Sequence, residues 1–64
     1  MTFYKTLKSE NKNGKTVTAY EKTEKNAAAP EYEIVVSIGS LGYEVIPAAR
    51  TTWKNKFKSA LNEL

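Results

Sequence analysis

The sequence predicts an α+β fold: a four-stranded antiparallel β-sheet built from two hairpins, with one C-terminal amphipathic helix packed on one face. Three observations carry that prediction. From Phe3 to Val45 the apolar residues recur mostly at every second position, the period of a strand with one buried face. From Trp53 onward they fall at 53, 57, 60, 61 and 64, which is one stripe of a helix. Turn-forming residues separate the periodic runs, at Asn13-Gly14, Pro30, Gly39 to Gly42 and Pro47. All 64 residues are read as a single domain, 1–64.

The first two strands are predicted at about 2–9 and 15–22. The segment Asn11-Lys12-Asn13-Gly14 between them reads as a type I turn closing on a glycine, a three-residue hairpin loop. That loop sets Leu7 opposite Ala19 and Ser9 opposite Val17. One face then carries Phe3, Leu7, Val17 and Ala19. The other carries Tyr4, Thr6, Lys8, Thr16, Thr18, Tyr20 and Lys22.

Thr23 to Pro30 is a connection longer than a usual hairpin loop. The third strand, about 31–38, is the strongest in the chain: Tyr32, Ile34, Val36 and Ile38 alternate with Glu33, Val35 and Ser37. Gly39-Ser40-Leu41-Gly42 turns the chain into a fourth strand at about 43–46. Pairing Ile38 with Tyr43 puts Val36 opposite Val45 in the core and Val35 opposite Ile46 on the outer face. Pro47 is expected to stop the sheet, because it cannot donate to a ladder. The helix is predicted at about 52–64, with Thr51 or Thr52 as N-cap. The expected core is Phe3, Leu7, Val17, Ala19, Tyr32, Ile34, Val36, Ile38, Tyr43, Val45, Trp53, Phe57, Leu61 and Leu64.

A chain of 64 residues buries roughly 60% of its unfolded surface. With no cysteine to staple it, a homodimer is an expected route to further burial. The N-terminus shows no apolar segment of a signal peptide, and Ile34-Val35-Val36 is the longest aliphatic run. With the absence of cysteine this suggests a soluble, cytoplasmic protein. The net charge of +3 is uneven: +3 over residues 1–25, −3 over 26–49 and +3 over 50–64. Basic segments of this kind suit an anionic partner.

The chain contains no His, no Cys and no Asp. That removes a histidine base, a thiol nucleophile, a Cys/His zinc site and a Ser-His-Asp triad. No catalytic motif, metal site or cofactor fingerprint is present, so the expectation is a protein that is not an enzyme and carries no cofactor.

Three features suggest binding instead. One helix covers one side of a four-stranded sheet. The other side is expected to present Tyr4 and Tyr20 interleaved with Lys8 and Lys22, as in sheets that stack unpaired bases and contact phosphates. Arg50 and Lys54, at a helix start whose dipole is already positive, suggest an anion site with the first backbone amides. Val35 and Ile46 on the outer face, with Trp53 in the helix stripe, suggest a partner or dimer patch.

The order of four strands and a helix, with Gly42-Tyr43-Glu44-Val45 leading the last strand and Trp53 opening the helix, resembles the positive cofactor 4 family of single-stranded-DNA-binding transcriptional coactivators. The resemblance implies a dimer built through the helices, with basic and aromatic strand residues on single-stranded DNA. The connection from Val45 to Trp53 is longer than that family's, and Tyr43 is bulkier than the residue it replaces.

Two readings follow, nucleic-acid binding ranked first and protein interaction as the alternative. In the first, this is a small nucleic-acid-binding protein, preferring single-stranded DNA or RNA, that uses Tyr4, Lys8, Tyr20, Lys22, Arg50 and Lys54. In the second, it is a protein–protein interaction module, such as a phage or mobile-element accessory protein, acting through the exposed sheet face. Glu33 and Glu44 are expected on that face and count against phosphate binding there.

Overall fold

The two central strands carry the core because both alternate cleanly. Val17 and Ala19 of β2 (Lys15–Glu24) and Ile34 and Val36 of β3 (Glu31–Ser37) are buried side by side, Val17 opposite Val36 and Ala19 opposite Ile34. β1 (Thr2–Lys12) and β4 (Tyr43–Ala48) flank them, giving a four-stranded antiparallel meander in the order β1-β2-β3-β4. A 3₁₀ turn, Gly39–Leu41, joins β3 to β4. The C-terminal helix α1 (Trp53–Asn62) lies across β2 and β3. The fold is therefore the α+β arrangement the sequence predicts. The computed structural model describes residues 1–26 and 28–64, with the backbone alone at Ser40. Ala27, inside the predicted connection, lies outside the described residues.

Phe57 and Ala60 bury against the sheet, Phe57 to 2% exposure. Removing such a ring from water contributes on the order of 1.5–3 kcal/mol. Leu7, Ile46, Ala48, Trp53, Leu61 and Leu64 pack around this cluster, half-buried. The helix stripe is thus occupied by its own sheet. Two side chains from the β1–β2 hairpin tie down the chain end after the helix, where the Leu61 carbonyl also accepts the Leu64 N–H at 3.2 Å. Lys12 Nζ donates to the Leu61 carbonyl at 2.9 Å and Asn13 Nδ2 to the Leu64 carbonyl at 2.7 Å.

The first hairpin differs from the sequence expectation in its turn and its register. Asn13 (φ 53°) and Gly14 (φ 77°) both take positive φ, the signature of a two-residue type I′ turn, which matches strand twist better than a type I loop. Lys12 therefore pairs with Lys15, Glu10 with Val17 and Lys8 with Ala19. Between Thr6, which pairs with Tyr20, and Lys8 the register shifts by one residue. Leu7 is the extra residue of a β-bulge. Leu7 and Lys8 then share the helix side, where Leu7 joins the core and Lys8 Nζ sits 5.3 Å from the centre of the Phe57 ring. Lys8 is not on the outer face as expected. Ser9 takes the outer face instead, bonded to Thr18 Oγ1 at 3.2 Å.

The second hairpin is slipped by one residue as well. Ile38 lies outside β3, its N–H held by the Gly42 carbonyl at 2.9 Å. Gly39 (φ 61°) and Gly42 (φ 114°) supply the positive φ that this longer connection needs. Ser37 pairs with Tyr43, Val36 with Glu44, Val35 with Val45 and Ile34 with Ile46. Because the side-chain period is two, this shift exchanges the faces of β4. Ile46 packs in the core, while Val45 (41% exposed) and Tyr43 (72%) face outward. Phe3 (58%) and Ile38 (37%) also leave the expected core, and Ala48 and Ala60 enter it. β4 continues through Pro47 to Ala48. As an edge strand it has one unpaired side, so a residue without an N–H is tolerated there.

Thr52 is the N-cap of α1, but its side chain makes no cap bond to the helix. Its Oγ1 accepts the Ala49 N–H at 2.9 Å instead. Lys56 Nζ donates to the Pro47 carbonyl at 2.7 Å, tying the helix to β4.

Candidate interaction surface

With the helix on one side, the outer face of the sheet has no cover among the described residues. Register places five rows across it, which run Asn11, Thr16, Ser37, Tyr43; Ser9, Thr18, Val35, Val45; Thr6, Tyr20, Glu33, Pro47; Tyr4, Lys22, Glu31; and Thr2, Glu24. The Tyr4 and Tyr20 rings meet edge to face, with centroids 5.9 Å apart and planes at 78°. Tyr4, Tyr20, Glu33, Val35, Tyr43 and Val45 line a shallow depression of ≈ 490 Å³. It runs diagonally from the β1 edge at Tyr4 to the β4 edge at Tyr43. Val35 and Val45, directly paired, form its apolar middle.

Two charges govern this face. Lys22 Nζ lies 4.0 Å from Glu33 Oε1 and 3.8 Å from Glu24 Oε1. The Tyr4 phenol oxygen, then the Glu33 carboxylate, raise the Lys22 ammonium above its ordinary pKa, with smaller help from Glu24 and Glu31 against desolvation. Glu33 Oε1 is shielded from water and accepts no hydrogen bond among the described residues. Lys22 stands against Glu24, Glu31 and Glu33, so the outer face carries a net −2 in a chain of net +3. Lys25 lies in the connection. The remaining eight cations and four carboxylates leave +4 on the helix side.

The sheet therefore divides the residues proposed for nucleic acid. Tyr4, Tyr20 and Lys22 come together on the outer face. Lys8 sits across the sheet, 3.7 Å from Glu10. Lys54 Nζ lies over the Trp53 ring at 5.7 Å, beside the helix. Arg50 stands in the turn before the helix, where its charge reaches the Tyr32 phenol. Burial first, and then a hydrogen bond donated to Glu21 Oε2 at 3.1 Å, push that phenol's pKa up. The proposed partner patch divides too: Val35 is outward, while Ile46 and Trp53 pack against the core. Glu44, paired with Val36, also lies on the helix side. The anion site at the helix start loses two amides, because Thr52 N–H and Trp53 N–H both donate to the Ala49 carbonyl, at 3.0 and 2.9 Å.

A second depression, of ≈ 560 Å³, opens between β1 and the helix, with Lys8, Glu10, Trp53, Lys54, Phe57 and Lys58 among its lining. Sequence alternation missed both Tyr43 and Val45 as surface residues. The signal was present in Gly39 and Gly42, whose spacing allows a connection long enough to leave Ile38 out of the strand.

Comparison of the chain with known protein families, curated proteins and solved structures finds no match. No helix among the described residues is long and apolar enough to cross a membrane.

Proposed function

We propose that this chain is a non-enzymatic protein-interaction module that docks a partner protein on the outer face of its sheet. The observation that carries the reading is the uncovered diagonal depression, in which Val35 and Val45 lie between Tyr4, Tyr20 and Tyr43. Contiguous exposed apolar and aromatic surface of this kind is what partners cover, and tyrosine is among the residues enriched at interfaces. The net −2 of the face argues against phosphate as its occupant, since like charges repel.

Selection from a displayed random-peptide library tests the reading. Wild type should retain peptides that Val45→Lys does not, and their contacts should map to Tyr20, Val35 and Tyr43. Val45→Lys changes an exposed side chain, so the comparison is made between two folded proteins. Retention that ignores the substitution would remove this face from the function.

A second reading is kept for the helix side. Its +4 charge and the depression holding Trp53, Lys54 and Lys58 suit single-stranded nucleic acid. Fluorescence anisotropy of labelled single strands at about 50 and 200 mM salt tests it. Binding there should weaken steeply with salt and with Lys58→Glu, and be indifferent to Tyr43→Ala.

A further inference from the structure

We infer that the depression around Glu33 takes a lysine or arginine side chain presented by the partner protein. The inference rests on the docking reading above and names the chemistry of what docks. Three features converge. First, Tyr4, Tyr20 and Tyr43 surround the depression, and the negative face of an aromatic ring attracts an ammonium or guanidinium within about 6 Å of its centre. Second, Glu33 lines the same depression, and its Oε1 lacks a hydrogen-bond donor among the described residues. Lys22 Nζ, at 4.0 Å, pairs with it by charge but lies beyond hydrogen-bond reach, and it is shared with Glu24 at 3.8 Å. Oε1 itself is closed to an incoming group, so the occupant's cation meets the part of the Glu33 side chain that stays 21% exposed and offsets the carboxylate charge through space. Third, the face is net −2 although the whole chain is net +3, so it attracts a cationic segment from solution.

The same charge argues against a second copy seated face to face, because two faces of −2 would meet. The valines fit the rest of the occupant. An extended segment laid along the diagonal places apolar groups on Val35 and Val45 while its cationic side chain reaches Glu33.

The test is an amide-resolved NMR titration of the full chain with three capped pentapeptides, Ala-Val-X-Val-Ala, where X is lysine, norleucine or glutamate. The lysine peptide should shift the amides of Tyr20, Glu33, Val35 and Tyr43, and bind about fivefold tighter than the norleucine peptide. The glutamate peptide should bind weakest. The lysine preference should vanish in Glu33→Gln, which keeps the side chain's shape, and should shrink in Tyr43→Leu, a change at an exposed position. If norleucine binds this face as well as lysine, the cation inference is overturned and the docking reading stands. If none of the peptides moves outer-face amides, both are overturned. If these amides shift with protein concentration alone, the occupant is a second copy and the heterologous partner is overturned.

Discussion

Truncating Ile46 and Val45 separately tests the register on which the outer face depends. The two residues are neighbours in β4 and point to opposite sides. Ile46 pairs with Ile34 and packs against the cluster of Val17, Ile34 and Phe57, whereas Val45 is 41% exposed on the outer face. A fully buried isoleucine cut to alanine costs about 2–5 kcal/mol, partly as transfer and partly as cavity. Ile46 is half-buried, so about 1–2.5 kcal/mol is expected. Val45→Ala opens no cavity and loses strand preference and one cross-strand contact, about 0.5 kcal/mol. A chain of this length is expected to have a stability of about 3–10 kcal/mol, so both variants should fold. Urea unfolding followed by Trp53 fluorescence reads the difference directly. With a slope of about 1 kcal/mol per molar urea, the Ile46→Ala midpoint should lie about 0.5–2 M below that of Val45→Ala. The opposite order would mean that β4 pairs with Val45 inward. The patch of Tyr43, Val35 and Val45 would then not exist.

Three further outcomes follow from the packing and the ionisation. Phe57→Ala removes the ring at the centre of the helix–sheet contact and should cost about 3–5 kcal/mol, enough to lose most of the cooperative melt by circular dichroism. Gly14→Ala meets no atom within 4 Å but must hold φ at +77°, so it should cost about 1 kcal/mol and lower Tm by about 4–8 °C. Lys22 and Tyr32 both bind their proton more firmly in the folded chain, with pKa values raised above the ordinary 10.5 and 10.0. Their contribution is whole below those values and is lost as pH rises through the raised ones, so stability should fall above about pH 10. Tyr32→Phe should flatten that fall, and an equally steep fall in the variant would exclude Tyr32 as a source.

Element order was legible because periodicity reports type and length. Glu31 to Ser37 keeps Tyr32, Ile34 and Val36 at every second position, with Val35 the one apolar residue between them, and the helix stripe from Trp53 to Leu64 changes period at once. Register was less legible, and for a physical reason. In β4 both alternating sets contain apolar residues: Tyr43 and Val45 on one, Ile46 and Ala48 on the other. Burial alone does not choose between them. The choice is made by the positive φ of Gly39 and Gly42, which fixes how many residues the connection consumes. In β1 the alternation of Phe3, Leu7 and Ser9 gave no hint of the bulge. β1 is an edge strand exposed over most of its length, so its pattern was little constrained by a core. The candidate site suffered accordingly. Tyr4, Tyr20, Lys22 and Val35 were found on the right face, while Lys8 and Ile46 were assigned to the wrong one.

The two misplaced residues have a common consequence for function. Had β1 run without its bulge, Lys8, Glu10 and Lys12 would face outward, and a lysine would stand beside the tyrosines. The single extra residue at Leu7 instead sends those charges to the helix side, where Lys8 reaches Phe57 and Lys12 bonds the Leu61 carbonyl. The slip in β4 acts in the same sense, bringing Tyr43 and Val45 outward and taking Glu44 inward. Each irregularity alone would leave a mixed surface. Together they separate an aromatic, net-acidic sheet face from a basic helix side in a chain of 64 residues. Such separation concentrates opposite fields on opposite sides of one thin sheet, and charge of one sign on a surface selects partners of the other. The backbone irregularities therefore set the charge of the outer face as much as the tyrosines set its aromatic surface. Deleting Leu7 itself would keep Thr6 opposite Tyr20 and Lys8 opposite Ala19, so the outer face should keep its residues and charge while the core loses one side chain.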